Sequence, residues 1–158
     1  MLNLEGNKNR RMILGLINEM PGIRYMELKR ITGLAYGTLT YHLSRLESEG
    51  RIKIVRTTRK SRYYPACISE LEAKIIDCLR NSTCKSILSV LLEHEYVTLQ
   101  MLIETLRSGK STIRYHIDRL MSIGVINAFR VDRMVLYKIN DGVINGMVRR
   151  MINDRLFN

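Results

Sequence analysis

The chain has 158 residues, of which 26 are Lys or Arg and 15 are Asp or Glu, so its formal net charge is +11. No run of about 18 apolar residues is present, and the polar start MLNLEGNKNRRM is unlike a signal peptide; neither a membrane span nor export is expected. The three cysteines, Cys67, Cys78 and Cys84, lack CxxC spacing. We expect them to be free thiols in the cytoplasm that act as small apolar side chains, with a redox or metal role as the alternative.

The first part of the chain predicts three helices. Residues 8–20 place apolar side chains at helical spacing, and Pro21-Gly22 stops that helix. A short helix is expected over Tyr25–Ile31. A third helix runs from about Thr38 to Glu49, and Gly50 ends it because glycine adopts the left-handed conformation at low cost.

A β-hairpin is predicted after the third helix. Residues 52–55 and 62–64 read as two strands joined by the polar tip 57–61, and Pro65 closes the hairpin. In the helix before it, apolar side chains recur at i, i+4 and i+7. These side chains, which we expect to face the core, are Leu39, Leu43 and Leu46.

The chain then repeats itself. Residues 38–63 and 112–137 align without a gap at an offset of 74, and 11 of the 26 aligned positions are identical. A repeat of this length predicts a second copy of the same domain. Its expected helices are Ser86–Glu93, Leu99–Leu106 and Ser111–Ser122, and its expected strands lie near 126–129 and 135–139.

These elements predict a mainly α fold with small β-hairpin wings (α+β), built from two tandem domains. The predicted parts are domain 1 (1–67), a linker helix region (68–84), domain 2 (85–140) and a C-terminal amphipathic helix (141–158). The apolar stripe of the last helix would either cover its own domain or pair with a second subunit. We expect a homodimer formed through the second domain and this helix.

The segment Gly37–Ile52, GTLTYHLSRLESEGRI, resembles the recognition-helix signature of ArsR/MarR-like winged-helix regulators. Over nearly its full length the chain resembles predicted archaeal transcriptional regulators with two tandem winged helices. The resemblance implies sequence-specific binding of double-stranded DNA, with the recognition helix in the major groove and the wing on the phosphates. The sequence shows no P-loop, metal cluster or catalytic triad, so we expect neither an enzyme nor a cofactor.

The candidate DNA contacts of the first copy lie on the outward face of the third helix and on the basic hairpin. Hydroxyl, imidazole and guanidinium groups are suited to phosphates and base edges. The predicted contacts are Thr38, Thr40, Tyr41, His42 and Arg45 on the helix, with Arg56, Arg59, Lys60 and Arg62 on the wing. Arg56, Lys60 and Arg62 are expected to share one face of the hairpin.

The second copy offers a weaker set of contacts. Residues 1–68 hold 13 basic and 5 acidic side chains, whereas residues 69–158 hold 13 and 10. Asp118 and Asp132 stand where phosphate would be repelled, so we expect the first domain to read DNA and the second to help association. The second-copy candidates are Arg114, Tyr115, His116, Arg119, Arg130 and Arg133.

Two sets of alternatives remain open. His42 and His116 either reach DNA or pack within the domain, and a metal or catalytic role would need partners that are not in view. The chain as a whole is either a DNA-binding regulator or a protein-interaction subunit of a chromosome-organising or transcription complex. Nonspecific or single-stranded nucleic-acid binding is a third possibility.

Overall fold

The computed structural model describes residues 4–57, 60–140 and 142–153, and it divides into two compact units, Met1–Ala73 (unit 1) and Lys74–Asn158 (unit 2). Each unit contains the series helix, short strand, helix, helix and hairpin, with the same strand order in its sheet. The predicted fold class is confirmed: the protein has two winged helix-turn-helix units that are mainly helical and carry small antiparallel sheets. The boundary between the units falls within the helix predicted as a linker.

Unit 1 contains three helices and a three-stranded sheet of order β1-β3-β2. Its elements are α1 (Leu4–Glu19), β1 (Ile23–Arg24), α2 (Tyr25–Thr32), α3 (Tyr36–Ser48), β2 (Ile52–Arg56) and β3 (Ser61–Pro65). All the elements predicted for this part of the chain are present, with ends shifted by a few residues. The β2–β3 hairpin is the first wing.

The later elements repeat this order and add a helix at each end. They are α4 (Glu70–Leu79), α5 (Ser82–Glu93), β4 (Val97–Thr98), α6 (Leu99–Leu106), α7 (Lys110–Ser122), β5 (Ile126–Val131), β6 (Met134–Ile139) and α8 (Val143–Asn153). The sheet order is β4-β6-β5, and the β5–β6 hairpin is the second wing. Asp141 and residues 154–158, which the predicted C-terminal helix included, lie outside the described residues.

The core of unit 1 is built from one apolar face of each helix. Ile13 and Ile17 of α1 and Leu39 of α3 are completely buried, and they pack with Leu43 and Leu46 in one cluster. The predicted i, i+4, i+7 stripe of α3 is therefore confirmed. Burying this stripe fixes which face of α3 is left for solvent.

Each sheet has a third strand of only two residues that the sequence did not reveal. In unit 1, Ile23 pairs with Tyr63, and the Gly22 N–H donates to the Tyr63 carbonyl oxygen at 2.8 Å. In unit 2, Val97 pairs with Tyr137. Two residues are too few for the alternation of apolar and polar side chains that identifies a strand in a sequence.

Helix α5, the counterpart of α1 in the second copy, begins at Ser82 rather than at the predicted Ser86. The reason is an N-cap, because the Asn81 side-chain oxygen accepts a hydrogen bond from the Cys84 N–H at 3.0 Å. Asparagine is among the best residues for this position. With this cap, only Arg80 and Asn81 separate the end of α4 from the start of α5.

The C-terminal helix α8 packs within unit 2. It contacts α5, where Val148 is completely buried and Arg149 Nη2 donates to the Leu92 carbonyl oxygen at 3.1 Å. At least part of the apolar stripe thus covers its own unit. Among the helices in the described part of the chain, none has the length and apolar character needed to span a bilayer.

Candidate nucleic-acid interface

The outward face of α3 is polar and open to solvent. Thr40, Tyr41, Ser44 and Arg45 are exposed, whereas Thr38 is half-buried. The Tyr41 side chain is 60% exposed although it lies between core residues in the sequence. A helix that buries its leucines and offers hydroxyl and guanidinium groups outward has the chemistry needed at a DNA groove.

Thr40 is held by an aromatic neighbour on α2. The Tyr25 hydroxyl donates to the Tyr36 carbonyl oxygen at 3.0 Å and lies 3.1 Å from the Thr40 hydroxyl oxygen. The rings of Tyr25 and Tyr36 pack at a tilt, with centroids 5.2 Å apart. These contacts fix the first turn of α3 against α2 and orient the threonine.

The first wing is fastened to α3 by an ion pair. The Arg56 guanidinium donates two hydrogen bonds to the Glu47 carboxylate, at 2.8 and 2.7 Å. The hydrogen bond from Arg56 lowers the pKa of Glu47. Glu47 thus orients the Arg56 guanidinium. The Arg56 side chain remains 59% exposed, so it is still accessible to a ligand.

A groove of about 680 Å³ runs between α2, α3 and the first wing. Tyrosine rings line its wall and three cations lie along it. The residues that form it are Arg24, Tyr25, Met26, Tyr36, Thr40, Leu43, Ser44, Ile54, Arg56, Thr57, Lys60, Ser61 and Tyr63. Three of the predicted sites, Thr40, Arg56 and Lys60, are thus brought together in this groove.

Arg24, Tyr25 and Glu47 belong to this surface although the sequence did not single them out. Arg24 and Tyr25 follow Pro21-Gly22, and that break between two helices was the only signal the sequence offered for their position. Arg10, Arg11 and Arg51 form a second basic concavity of about 250 Å³ beside Leu14, Leu46 and Glu49. Within it, Arg10 pairs with Glu49 at 3.2 Å.

The prediction that Arg62 contacts DNA is corrected by the strand register. Arg56 pairs with Ser61 while Val55 pairs with Arg62, so Arg56 and Arg62 project from opposite faces of the hairpin. Arg62 is only 6% exposed, and its Nη1 donates to the Gly22 carbonyl oxygen at 2.7 Å. Its side chain fastens the turn before β1 rather than facing solvent.

The predictions that His42 and His116 contact DNA are also corrected, because both side chains are buried. His42 is 4% exposed and His116 is 6% exposed. Burial, and secondarily the charges of Arg10 and Arg119, lower the pKa of His42 and of His116, respectively. Both imidazoles therefore sit in the interior as packing side chains, and each contacts the preceding tyrosine ring edge-on.

The remaining candidate DNA contacts of the first copy are Arg45, Lys60 and Arg59. Arg45 is exposed and lies 3.5 Å from the Glu49 carboxylate, an i, i+4 ion pair of the kind that contributes little in solvent. Lys60 is exposed at the base of the wing tip. Arg59 lies outside the described residues.

On α7 of unit 2 the outward face is mixed in charge. Arg114 and Tyr115 are exposed, but Asp118 is exposed beside them. Arg119 is half-buried and forms an ion pair with Asp77 of α4. Its guanidinium is thus committed within unit 2, in contrast to the exposed Arg45 at the equivalent position of α3.

The second wing is more apolar than the first. Arg130 and Arg133 are exposed, but so are Phe129, Val131 and Met134. The Arg56–Glu47 arrangement has no equivalent, because Met121 stands 74 residues after Glu47. Within the described ranges, no group of three His, Cys, Asp or Glu side chains is arranged to hold a metal ion.

Comparison with known proteins identifies relatives of this chain. A family model described as HTH_HVO_0163_N, N-terminal HTH domain, matches residues 7–76. The uncharacterized HTH-type transcriptional regulator MJ1398 of Methanocaldococcus jannaschii is 29% identical over 138 residues, 87% of this chain. The HTH-type transcriptional regulator YgaV of Escherichia coli is 32% identical over 84 residues, 53% of this chain and 83% of the relative.

Among solved structures, the transcriptional repressor PagR of Bacillus anthracis aligns with 52% of this chain and 93% of its own, at 20% identity and a TM-score of 0.47. The chain spans 35% of the length of the M. jannaschii relative. The match over residues 7–76 includes α2, α3 and the first wing, which form the groove. Together with the coverage of YgaV, it shows that the chain belongs to the helix-turn-helix transcriptional regulators.

Proposed function

We propose that the protein is a sequence-specific regulator that binds double-stranded DNA through unit 1, with α3 in the major groove and the first wing on the phosphates. The observation that carries this proposal is the groove, which sets the polar face of α3 beside the fixed cation Arg56. Two supports of different kinds converge here. The chain belongs to a family of transcriptional regulators, and its charge excess lies mainly in residues 1–68.

Each part of the surface has a distinct role in this mechanism. Lys60 and Arg56, together with the predicted Arg59, neutralise phosphates and supply affinity without sequence information. Tyr41 and Arg45, one turn apart on α3, reach base edges, where a guanidinium pairs with guanine. Thr40, whose hydroxyl donates to Tyr25, accepts a hydrogen bond from a donor group at a base edge. Arg24, which also lines the groove, adds a further phosphate contact.

Unit 2 is proposed to support association rather than to read DNA. Asp118 on α7 opposes phosphate, and Arg119 is engaged with Asp77. We propose a homodimer formed through unit 2. Two-fold symmetry would then favour an operator with inverted repeats.

A binding titration at several salt concentrations tests the proposal. Fragments are first selected from a random DNA library with the whole protein. With about four phosphate contacts, we expect the affinity for the selected site to fall roughly 100-fold between about 50 and 200 mM salt. Scrambled DNA of equal length should bind more weakly at every salt concentration. A flat salt response, or equal affinity for selected and scrambled DNA, would contradict the proposal.

A second candidate function, a protein-interaction subunit, is favoured by one observation on unit 2. Phe129, Val131 and Met134 expose apolar surface on one hairpin, and they lie on the same face of it because Val131 pairs with Met134. Such a surface suits a protein partner better than a phosphate backbone. If the protein bound no fragment in the selection from the random DNA library, the result would favour this candidate.

A further inference from the structure

Two hydroxyl groups at the junction of α2 and α3 form a hydrogen-bond chain whose direction is fixed. The Tyr25 hydroxyl lies 3.0 Å from the Tyr36 carbonyl oxygen, and a carbonyl oxygen only accepts, so the tyrosine proton is donated there. The same tyrosine oxygen lies 3.1 Å from the Thr40 hydroxyl oxygen. Because the tyrosine has only one proton, the Thr40 hydroxyl is the donor in this second contact.

The Thr40 hydroxyl therefore meets the groove as an acceptor. A hydroxyl has one proton and two lone pairs, and Thr40 gives its proton to Tyr25. Thr40 is exposed and lines the groove between α2, α3 and the first wing. Phosphate oxygens also accept, so they are poor partners for this hydroxyl. A ligand that pairs with it has to bring a hydrogen-bond donor.

Unit 2 shows that the fold does not require this chain of hydroxyl groups. At the repeat offset of 74 residues, α2 and α3 correspond to α6 and α7. The positions of the two tyrosines and the threonine are occupied there by Leu99, Lys110 and Arg114, none of which has a hydroxyl group. The same pair of helices thus forms without the hydrogen bonds. Packing of α2 on α3 therefore does not by itself explain why unit 1 has them.

We propose that Tyr25 is a positioning residue that makes Thr40 recognise the amino group of adenine or cytosine at one base pair of the DNA site. This inference rests on the proposed binding of DNA by unit 1 with α3 in the major groove. In that groove the amino groups of adenine and cytosine donate, whereas the keto oxygens of guanine and thymine accept. An accepting hydroxyl pairs with the amino groups. Against a keto oxygen, two acceptors would face each other with no proton between them.

Removing one oxygen atom from Tyr25 should change this preference. The Tyr25 ring packs against the Tyr36 ring with centroids 5.2 Å apart, and Tyr25→Phe keeps that ring. Phenylalanine cannot accept from Thr40, so the threonine proton is released and can turn toward the DNA. The hydroxyl can then donate to a keto oxygen as well as accept from an amino group. We therefore expect Tyr25→Phe to relax the preference at this base pair.

The test begins with selection from a random DNA library by the whole wild-type protein and by Thr40→Val. Valine keeps the branched shape of threonine and lacks its hydroxyl, so the base pair whose preference is lost in this variant is the one that Thr40 contacts. Inverting that pair in the selected site moves the amino group to the other strand. We expect inversion to weaken wild-type binding at least about fivefold and Thr40→Val binding less than about twofold.

Two further titrations separate an accepting hydroxyl from a donating one. The first uses a base that lacks the amino group, purine for adenine or pyrimidinone for cytosine. It should weaken wild-type binding at least about fivefold and Thr40→Val binding less than about twofold. The second inverts the pair for Tyr25→Phe, and here the cost should fall below about twofold. A structural role of Tyr25 alone would weaken binding to every DNA without changing the preference at one base pair.

Tyr96→Phe is the matched control, because it removes an exposed tyrosine hydroxyl from unit 2 and should discriminate as the wild-type protein does. If Tyr25→Phe is unfolded by circular dichroism, Tyr25→Leu takes its place, since leucine occupies the equivalent position in unit 2. Wild-type binding that tolerates loss of the amino group would overturn the inference. So would full discrimination by a folded Tyr25 variant, or a selected site that Thr40→Val leaves unchanged. These results would leave the proposed function standing, whereas a wild-type protein that selects no site would end both.

Discussion

Replacing Arg56 and Lys60 together with alanine is expected to weaken DNA binding by roughly 10- to 100-fold, because two charge-assisted contacts to phosphate are lost. The slope of log affinity against log salt should also become shallower by about two. The measurement is a fluorescence titration against the selected DNA site. The expected loss is large because Arg56 is held in place by Glu47 before DNA arrives, so little side-chain entropy is lost on binding.

Two matched controls accompany the wing variant. Arg130→Ala with Arg133→Ala removes the equivalent charge from the second wing, and we expect less than about a threefold loss from it because unit 2 does not read DNA in the proposed mechanism. Glu47→Gln keeps the Arg56 cation and an amide oxygen that accepts a hydrogen bond from it, while the nearby negative charge is lost, so binding should be retained. Equal losses from the two wings would refute the division of roles between the units.

The second large effect is expected in the core beneath the recognition helix. Leu39→Ala removes a completely buried side chain and should lower the free energy of unfolding of unit 1 by about 2–5 kcal/mol. A domain of this size is stabilised by only about 4–10 kcal/mol in total. Unit 1 should therefore be partly unfolded at physiological temperature, and DNA binding should fall with it. Urea denaturation followed by circular dichroism gives the value.

Ile31→Ala is the control for the core variant. Ile31 belongs to the same unit but is 46% exposed, so its truncation should cost less than about 0.5 kcal/mol. Ile113→Ala makes the equivalent cavity in unit 2, at the position 74 residues after Leu39. It should destabilise unit 2 and leave DNA binding less affected. A cost for Leu39→Ala no larger than that for Ile31→Ala would show that α3 is not packed as described.

The periodicity of the sequence was enough to predict most helices and both hairpins, because each buries a clear apolar face. The same periodicity also indicated that His42 is buried. Leu39, His42, Leu43 and Leu46 are spaced i, i+3, i+4 and i+7, which is one continuous helical stripe. The polar character of imidazole favoured an outward position, yet a neutral histidine packs readily in a core. His116 occupies the same place in α7 and was misplaced for the same reason.

The placement of Arg62 required information that the sequence does not contain. Which hairpin side chains share a face depends on the register, and the register depends on the geometry of the wing tip. A shift of one residue moves every side chain to the other face. Only the observed pairing of Arg56 with Ser61 separates Arg56 from Arg62. The Glu47–Arg56 pair joins a helix to a strand. It could not be predicted from the sequence because it depends on how the wing lies against α3.

The central claim is that unit 1, through α3 and the first wing, is the part that reads DNA. Hydrogen exchange of the whole protein, measured by mass spectrometry with and without the selected DNA, tests it most directly. The account predicts slower exchange on DNA addition in peptides covering 36–48 and 52–65. It predicts little change in those covering 110–122 and 126–139. Slower exchange confined to the unit 2 peptides would contradict it.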